Sequence, residues 1–350
     1  MPSRRTFLAG LASAGVATTA GCVGGLDRLV GGGGPPAYTD WLHRPVTATA
    51  PDRYVAASLD VAAVRANRET LPDSARDALD RADRLAGSVS LADVDRLTAL
   101  GYGAPDAGSA GLTLAAKGTF DTAAIRAEIG ADDSSLVVDE GTREGFQRYS
   151  YEPSLFADLR QFQGDEQPTP PDLTFGLAAS DAALVAGLVL SPDVRGLAAV
   201  RAAVDTHTGA ETGVTDDRAM ADLFATVGDR TLAVGLSTAL TRDLATQVDD
   251  AATRSLLDDA DGLGFGYALA DETLRVALAA DPTDLADPER VRTILEDATD
   301  DEGEDGPTVE RVGVARSGRV VYADLAVPVA RVVDAGENVT VTDPLGTPAG

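Results

Sequence analysis

Phe175-Gly176-Leu177-Ala178-Ala179-Ser180-Asp181-Ala182-Ala183-Leu184-Val185-Ala186-Gly187-Leu188 reads as two alternating runs about a Ser-Asp turn, the pattern of a β-hairpin. Val312-Gly313-Val314-Ala315-Arg316-Ser317-Gly318-Arg319-Val320-Val321-Tyr322-Ala323-Asp324-Leu325 lines up on it without gaps and turns at Ser317-Gly318. A second correspondence lies upstream. Asp52-Arg53-Tyr54-Val55-Ala56-Ala57-Ser58-Leu59 resembles Asp229-Arg230-Thr231-Leu232-Ala233-Val234-Gly235-Leu236. Between these landmarks one order recurs: strand, helix, two strands, helix, closing hairpin. Internal duplication explains the recurrence. Chance likeness between Ala- and Val-rich strands is the competing explanation.

The helices carry recognisable signals. Asp287-Pro288 opens one whose apolar face is Val291, Ile294, Leu295 and Ala298. Met220, Leu223, Phe224 and Val227 form an i, i+3, i+4, i+7 stripe between Thr215 and Gly228. Asp73 opens a third helix, with Ala75, Leu79, Ala82 and Leu85 inward and Asp77–Arg81 and Asp80–Arg84 spaced for solvated ion pairs. Strand–helix–strand–strand–helix–strand is the split βαβ order. The expected fold class is therefore α+β: two duplicated ferredoxin-like (split βαβ) units with antiparallel sheets and helices on one face. The first unit is placed at 46–190 with an insertion at 131–172, the second at 213–328. A bridge spans 191–212 and a C-terminal tail spans 329–350. Repetition of this kind speaks for scaffold geometry more than for chemistry.

The chain begins differently. Ser3-Arg4-Arg5-Thr6-Phe7-Leu8 precedes a weakly apolar run from Ala9 to Ala20 and then Gly21-Cys22. That run is too short to span a ~30 Å hydrocarbon core, and it reads as a signal segment over 1–21. Arg4, Arg5, Phe7 and Leu8 resemble a twin-arginine export signal. Ala20-Gly21-Cys22 resembles a lipobox, whose cysteine becomes the lipid-bearing first residue of the mature chain; Thr19 departs from the usual aliphatic residue. An uncleaved anchor is the alternative reading. Cys22 is the only cysteine, so its lipidation leaves no thiol for a disulfide, a zinc site or a nucleophile. Residues 22–45, with Gly31-Gly32-Gly33-Gly34-Pro35-Pro36, are expected to form a tether.

Composition agrees with an exposed life in brine. The chain has 56 Asp plus Glu against 29 Lys plus Arg, a net charge of −27, and Lys117 is its sole lysine. Loss of Arg4 and Arg5 with the signal takes the mature charge to −29. Nucleic-acid binding and docking on an anionic bilayer by a basic patch are disfavoured, because both need clustered cations. High Asp, scarce Lys and a small-residue apolar set resemble proteins of extreme halophiles. A soluble acidic surface from a high-GC genome is the plainer alternative.

Chemistry is hard to find. His43 and His207 are the only histidines, and no His-Glu-x-x-His spacing occurs. Asp258-Asp259-Ala260-Asp261-Gly262 puts Leu257 and Ala268 at the first and twelfth positions of a calcium loop, so it is not an EF-hand. Asp300-Asp301-Glu302-Gly303-Glu304-Asp305-Gly306 reads as a hydrated acidic loop. No Walker loop surrounds Lys117, and Gly262-Leu263-Gly264-Phe265-Gly266 lies in a predicted strand, where glycine permits close packing. No catalytic residue, metal or cofactor is assigned. An acid pair cannot be picked out of 56 carboxylates. The insertion holds Phe146, Tyr149, Tyr151, Phe156 and Phe162, which either anchor a partner or cover an open sheet edge. Asn338-Val339-Thr340 is an N-glycosylation acceptor.

Signal, tether, acidic balance and duplicated body together resemble uncharacterised twin-arginine-exported lipoproteins of haloarchaea. That resemblance implies a location on the outer face of the cell membrane, held to lipid through Cys22, and transfers no catalytic residue. The expected function is a non-enzymatic binding or scaffold module with an envelope protein as partner. A solute-binding lipoprotein of a transporter and an exported acid-pair hydrolase stay open as alternatives, and oligomeric state is not legible. The acidic balance also sets a test. Self-repulsion is screened once the Debye length falls to ~3 Å in molar salt, so cooperative thermal unfolding followed by circular dichroism is expected in molar salt and not in dilute buffer. A sharp transition persisting at low salt counts against the halophilic reading.

Overall fold

A chain with only 5% aromatic residues has to close its core with small side chains, and the fold reflects this. A computed structural model describes residues 34–46, 53–85, 89–104, 109–131, 137–151, 172–191, 193–248, 250–283, 286–300 and 313–338. In chain order, β1 (Tyr54–Asp60), α1 (Val61–Ala66) and α2 (Asp73–Leu85) precede β2 (Val94–Ala104), β3 (Ser109–Gly118) and α3 (Thr122–Ala131). Then come β4 (Val137–Arg143), β5 (Phe146–Tyr151), β6 (Asp172–Ala179), β7 (Ala183–Ser191), α4 (Gly196–His207) and α5 (Arg218–Val227). The last stretch holds β8 (Leu232–Ser237), α6 (Thr238–Ala245), α7 (Ala251–Asp258), β9 (Gly262–Ala268) and β10 (Thr273–Ala279). It ends with α8 (Pro288–Asp300), β11 (Gly313–Ser317), β12 (Val320–Ala326) and α9 (Val329–Asn338).

The chain divides into two compact units. The central unit comprises Asp40–Tyr54 and Ser88–Gly213; the C-terminal unit comprises Val214–Thr340 with Val55–Gly87 and the chain up to Thr39. Strands in the central unit run β2-β3-β7-β6-β5-β4, each neighbour antiparallel. In the C-terminal unit they run β11-β12-β10-β9-β8-β1, again antiparallel throughout. The protein is thus α+β with antiparallel sheet.

The finer expectations are not confirmed. A split βαβ unit needs a parallel neighbour, and the strand pairs within each of the two units are antiparallel. β8 and β9 pair directly although α6 and α7 separate them in sequence. The boundaries differ as well. The segment 55–87 was expected with the residues that follow it, yet it belongs to the C-terminal unit, because β1 pairs with β8 from Val55↔Leu236 to Leu59↔Leu232. The expected bridge carries α4, which lies on β6 and β7 within the central unit. The expected tail opens with α9.

Both paired hairpins of the opening alignment are present as β6–β7 and β11–β12. β7 alternates strictly between buried and half-buried residues, as a strand covered on one face should. Beneath α4, Gly176 and Gly187 face each other across β6 and β7. A Cβ on Gly176 would stand 2.6 Å from the Leu197 backbone, and one on Gly187 2.6 Å from the Gly196 carbonyl oxygen. The Gly196 amide completes the contact by donating to Thr174 Oγ1 at 2.7 Å. The C-terminal unit repeats the device. Gly235 and Gly264 are paired across β8 and β9, and their absent side chains would meet Phe224 at 2.6 Å and Val227 at 2.9 Å on α5. α5 itself is opened by Asp217, whose carboxylate accepts from Ala219 N and Met220 N, rather than by the expected Thr215. Gly228 closes it at φ 78°.

These contacts predict that Gly176→Ala lowers unfolding free energy by about 2 kcal/mol, the usual cost of forcing a methyl into filled space. Gly313→Ala, with nothing within 4 Å of the added carbon, serves as the neutral control. Denaturant unfolding of both variants in molar salt checks the difference.

Candidate functional site

Polar groups in a low-dielectric interior require partners, so buried polar clusters are where chemistry would be placed. In the central unit the foremost cluster is built on a segment expected to be tether. Residues Ala37–Trp41 form a 3-10 turn, and Trp41, Leu42 and His43 are buried. His43 forms an isolated antiparallel bridge with Gly213. A Cβ on Gly213 would stand 2.6 Å from the Leu42 carbonyl oxygen, so glycine is needed for that approach. The tether expectation fails here because Trp41, Leu42 and His43 bring apolar and hydrogen-bonding surface that the unit absorbs.

His43 is 1% exposed. Its Nδ1 lies 2.6 Å from the Arg44 carbonyl oxygen, and its Nε2 lies 2.9 Å from Thr113 Oγ1. A carbonyl only accepts, so Nδ1 carries the proton and Nε2 accepts from the Thr113 hydroxyl. Tyr102 stands edge-on to the imidazole at 5.9 Å. Burial pushes His43 down to about 4, against a smaller upward pull from the Arg44 carbonyl. Burial likewise pushes the Tyr102 hydroxyl up to about 12, with Thr113 and the Val46 backbone opposing. A neutral, enclosed imidazole with both nitrogens occupied is a structural tie; it has no free nitrogen for a ligand or for proton transfer.

His207 is different. It is exposed, and its ring stacks on the buried Trp41 at 3.7 Å and 10°. Partial burial holds it below the usual histidine range, while the Asp40 charge opposes the shift and Lys117 adds to it. Phe146 meets the other side of the cluster, edge-on to Trp41 at 6.4 Å. Asp205, 6% exposed, pairs with Arg143 at 3.0 Å.

In the C-terminal unit one carboxylate holds two guanidinium groups. Arg275 Nε and Nη2 donate to Asp324 at 2.8 and 2.7 Å, and Arg230 Nη2 donates to the same side chain at 3.3 Å. Arg275 Nη1 also donates to the Thr226 carbonyl at 2.8 Å, and Arg230 Nε to the Val227 carbonyl at 3.2 Å. These are the final carbonyls of α5, where cations offset the helix dipole. Arg275 further covers the Tyr322 ring at 4.5 Å. Burial holds Arg230 below its usual range, and the Arg275 charge adds to that shift while Asp324 and Asp271 oppose it. The guanidinium groups are spent on fastening a helix end, which leaves no anion cradle.

The sequence-predicted sites fare unevenly. Phe146 and Tyr149 are 7% and 6% exposed, so both are core side chains of β5, and Phe146 packs edge-on to Trp41. Tyr151 ends β5 and pairs with Phe175 through the backbone. Phe156, Phe162, Cys22, Arg4, Arg5, Phe7 and Leu8 lie outside the described residues. Asn338 is the last residue of α9, and Val339 and Thr340 of its sequon lie beyond the described chain. Trp41 and His43 were missed as structural residues. The available signal was Tyr38, Trp41 and Leu42 crowded immediately after a Gly/Pro run.

Among the described residues no three His, Cys, Asp or Glu side chains are grouped to hold a metal ion, and no helix is long and apolar enough to cross a membrane. A depression lined by Leu256, Asp259, Leu278, Arg290 and Val321 offers about 20 Å³ to solvent, room for a water molecule and too little for a metabolite.

No family model matches the chain, and neither does any curated protein. Among solved structures it is similar to crystal form I of TP0453, with a TM-score of 0.42 and 8% identity over 86% of this chain and 98% of that one. Crystal form III gives 0.41 and 8% over 85% and 97%, and crystal form IV 0.41 and 8% over 86% and 95%. A likeness at that level transfers neither residues nor function.

The His43 tie has a measurable consequence. Below pH 6.5 the unfolded chain takes up a proton that the folded chain refuses until about pH 4, so stability falls as pH drops through that window. The loss from this one group is about 3 kcal/mol. His43→Gln is expected to be less stable at pH 7 yet to show a shallower decline between pH 6.5 and 4.5, read by denaturant unfolding at each pH. Parallel declines would remove His43 as the cause.

Proposed function

We propose that the protein is an exported lipoprotein, anchored by Cys22 to the outer face of the cell membrane, that binds or scaffolds an envelope component without catalysing a reaction. The observation that carries this reading is the N-terminal sequence itself: Arg4-Arg5-Thr6-Phe7-Leu8, a short apolar run, and Ala20-Gly21-Cys22. Further support comes from how the described ionisable groups are used. His43 is enclosed and doubly hydrogen-bonded, and Arg230, Arg275 and Asp324 are engaged with one another and with a helix end. Groups so occupied hold a scaffold together.

The body of that scaffold is, in this reading, a duplicated unit. Strand, two helices, two strands, helix and closing hairpin occur as β1-α1-α2-β2-β3-α3-β6-β7 and again as β8-α6-α7-β9-β10-α8-β11-β12. β4 and β5 are the insertion in the first copy, within the span 131–172 noted above.

Cys22→Ser decides the anchoring. In cells expressing the full chain, the native protein is expected in the membrane fraction and the variant in the medium, both assayed in molar salt. Equal membrane retention of the two overturns the lipid anchor.

A further inference from the structure

We infer that β8 presents a self-complementary pairing edge whose fitting partner, when β1 is displaced, is β8 of a second copy of this chain. The inference rests on the duplicated-unit reading. In that reading each β1 residue has its counterpart 177 positions on, Val55 with Leu232 and Leu59 with Leu236. β1 pairs with this counterpart strand: Val55↔Leu236, Ala56↔Gly235, Ala57↔Val234, Ser58↔Ala233 and Leu59↔Leu232. Antiparallel pairing of a strand with its own counterpart generates a local twofold axis, and here the axis falls on Ala57 and Val234, at the middle of the matched run. The faces agree as well. Ala56 and Ser58 are buried on β1, as are their counterparts Ala233 and Gly235 on β8, and buried residue pairs with buried residue across the seam.

β1 therefore occupies the place that a second β8 would take in the same register. There Val234 would face Val234 of the other copy, Leu232 would face Leu236, and Ala233 would face Gly235. On the half-buried face this exchanges the Ala57–Val234 pair for Val–Val, a better cross-strand match. On the buried face only Ala and Gly meet, so no bulk is added where Phe224 already lies 2.6 Å from a Cβ on Gly235. Within one chain β1 has over a second β8 the advantage of effective concentration, of millimolar order for a tethered partner. Chains crowded on a membrane, or a chain whose β1 is weakened, lose that advantage.

The register makes the test specific. In the full mature chain carrying Cys22→Ser, with β1 weakened by Ala57→Pro, Val234→Cys is expected to yield a disulfide-linked dimer as the major species under mild oxidation. Leu232→Cys is expected not to link to itself, since its two copies would lie about 13 Å apart along the strands, beyond disulfide reach. Leu232→Cys mixed with Leu236→Cys should link. A folded, monomeric Val234→Cys chain, or self-linking by Leu232→Cys as readily as by Val234→Cys, overturns the inference. If Ala57→Pro does not fold by circular dichroism, Val234→Cys with β1 intact is raised to millimolar concentration, where linked dimer supports the inference and its absence overturns it. A separate Ala57→Cys/Val234→Cys chain tells the two readings apart. An internal disulfide without any β8–β8 link rejects only the dimer, whereas no internal disulfide rejects the β1–β8 seam and the duplication with it.

Discussion

The contact on which this fold depends is a helix lying on a pair of facing glycines. α4 rests on Gly176 and Gly187, α5 on Gly235 and Gly264. Without a Cβ on either strand, the helix approaches until backbone meets backbone or a single ring. The gap left to fill is then thin. A chain whose core is dominated by Ala, Val and Leu can fill it at ordinary packing density, where a standard helix-to-sheet spacing would leave voids. The dearth of aromatics and the placement of these glycines are therefore two sides of one solution.

Electrostatics follow the same economy. With 29 Lys and Arg among 350 residues, cations are scarce, and several are placed indoors. Arg230 and Arg275 share Asp324 and close the C-terminal end of α5. Arg143 neutralises the buried Asp205. Removing one member of such a group leaves another charge without its partner, which costs more than the pair itself contributes. Exposed pairs such as Arg292 with Glu289 contribute little in molar salt, where they are screened.

Much of the local structure was legible from residue order. The Ser-Asp and Ser-Gly turns, the Gly228 stop and the Asp287-Pro288 start are local signals, set by backbone geometry within a few residues. Strand order was not legible. Periodicity says which face of β8 is buried but not that β1, some 170 residues earlier, pairs with it, and a split βαβ unit and an antiparallel meander share one element order. Tyr38 to His43 were masked by the glycines before them, and Phe146 and Tyr149 by lying in an insertion. In each case composition suggested exposure, while non-local contacts, such as Trp41 against Phe146 and His207, supplied the burial.

Trp41 is the sole tryptophan of the chain, and it sits inside the central unit against His207 and Phe146. Its emission is therefore a built-in optical gauge of that unit alone. Backbone dichroism sums over the whole chain, whereas fluorescence at this one indole follows the surroundings of Trp41, His207 and Phe146 in the central unit. A single native chromophore thus separates the melting of one half of the molecule from the other without any label.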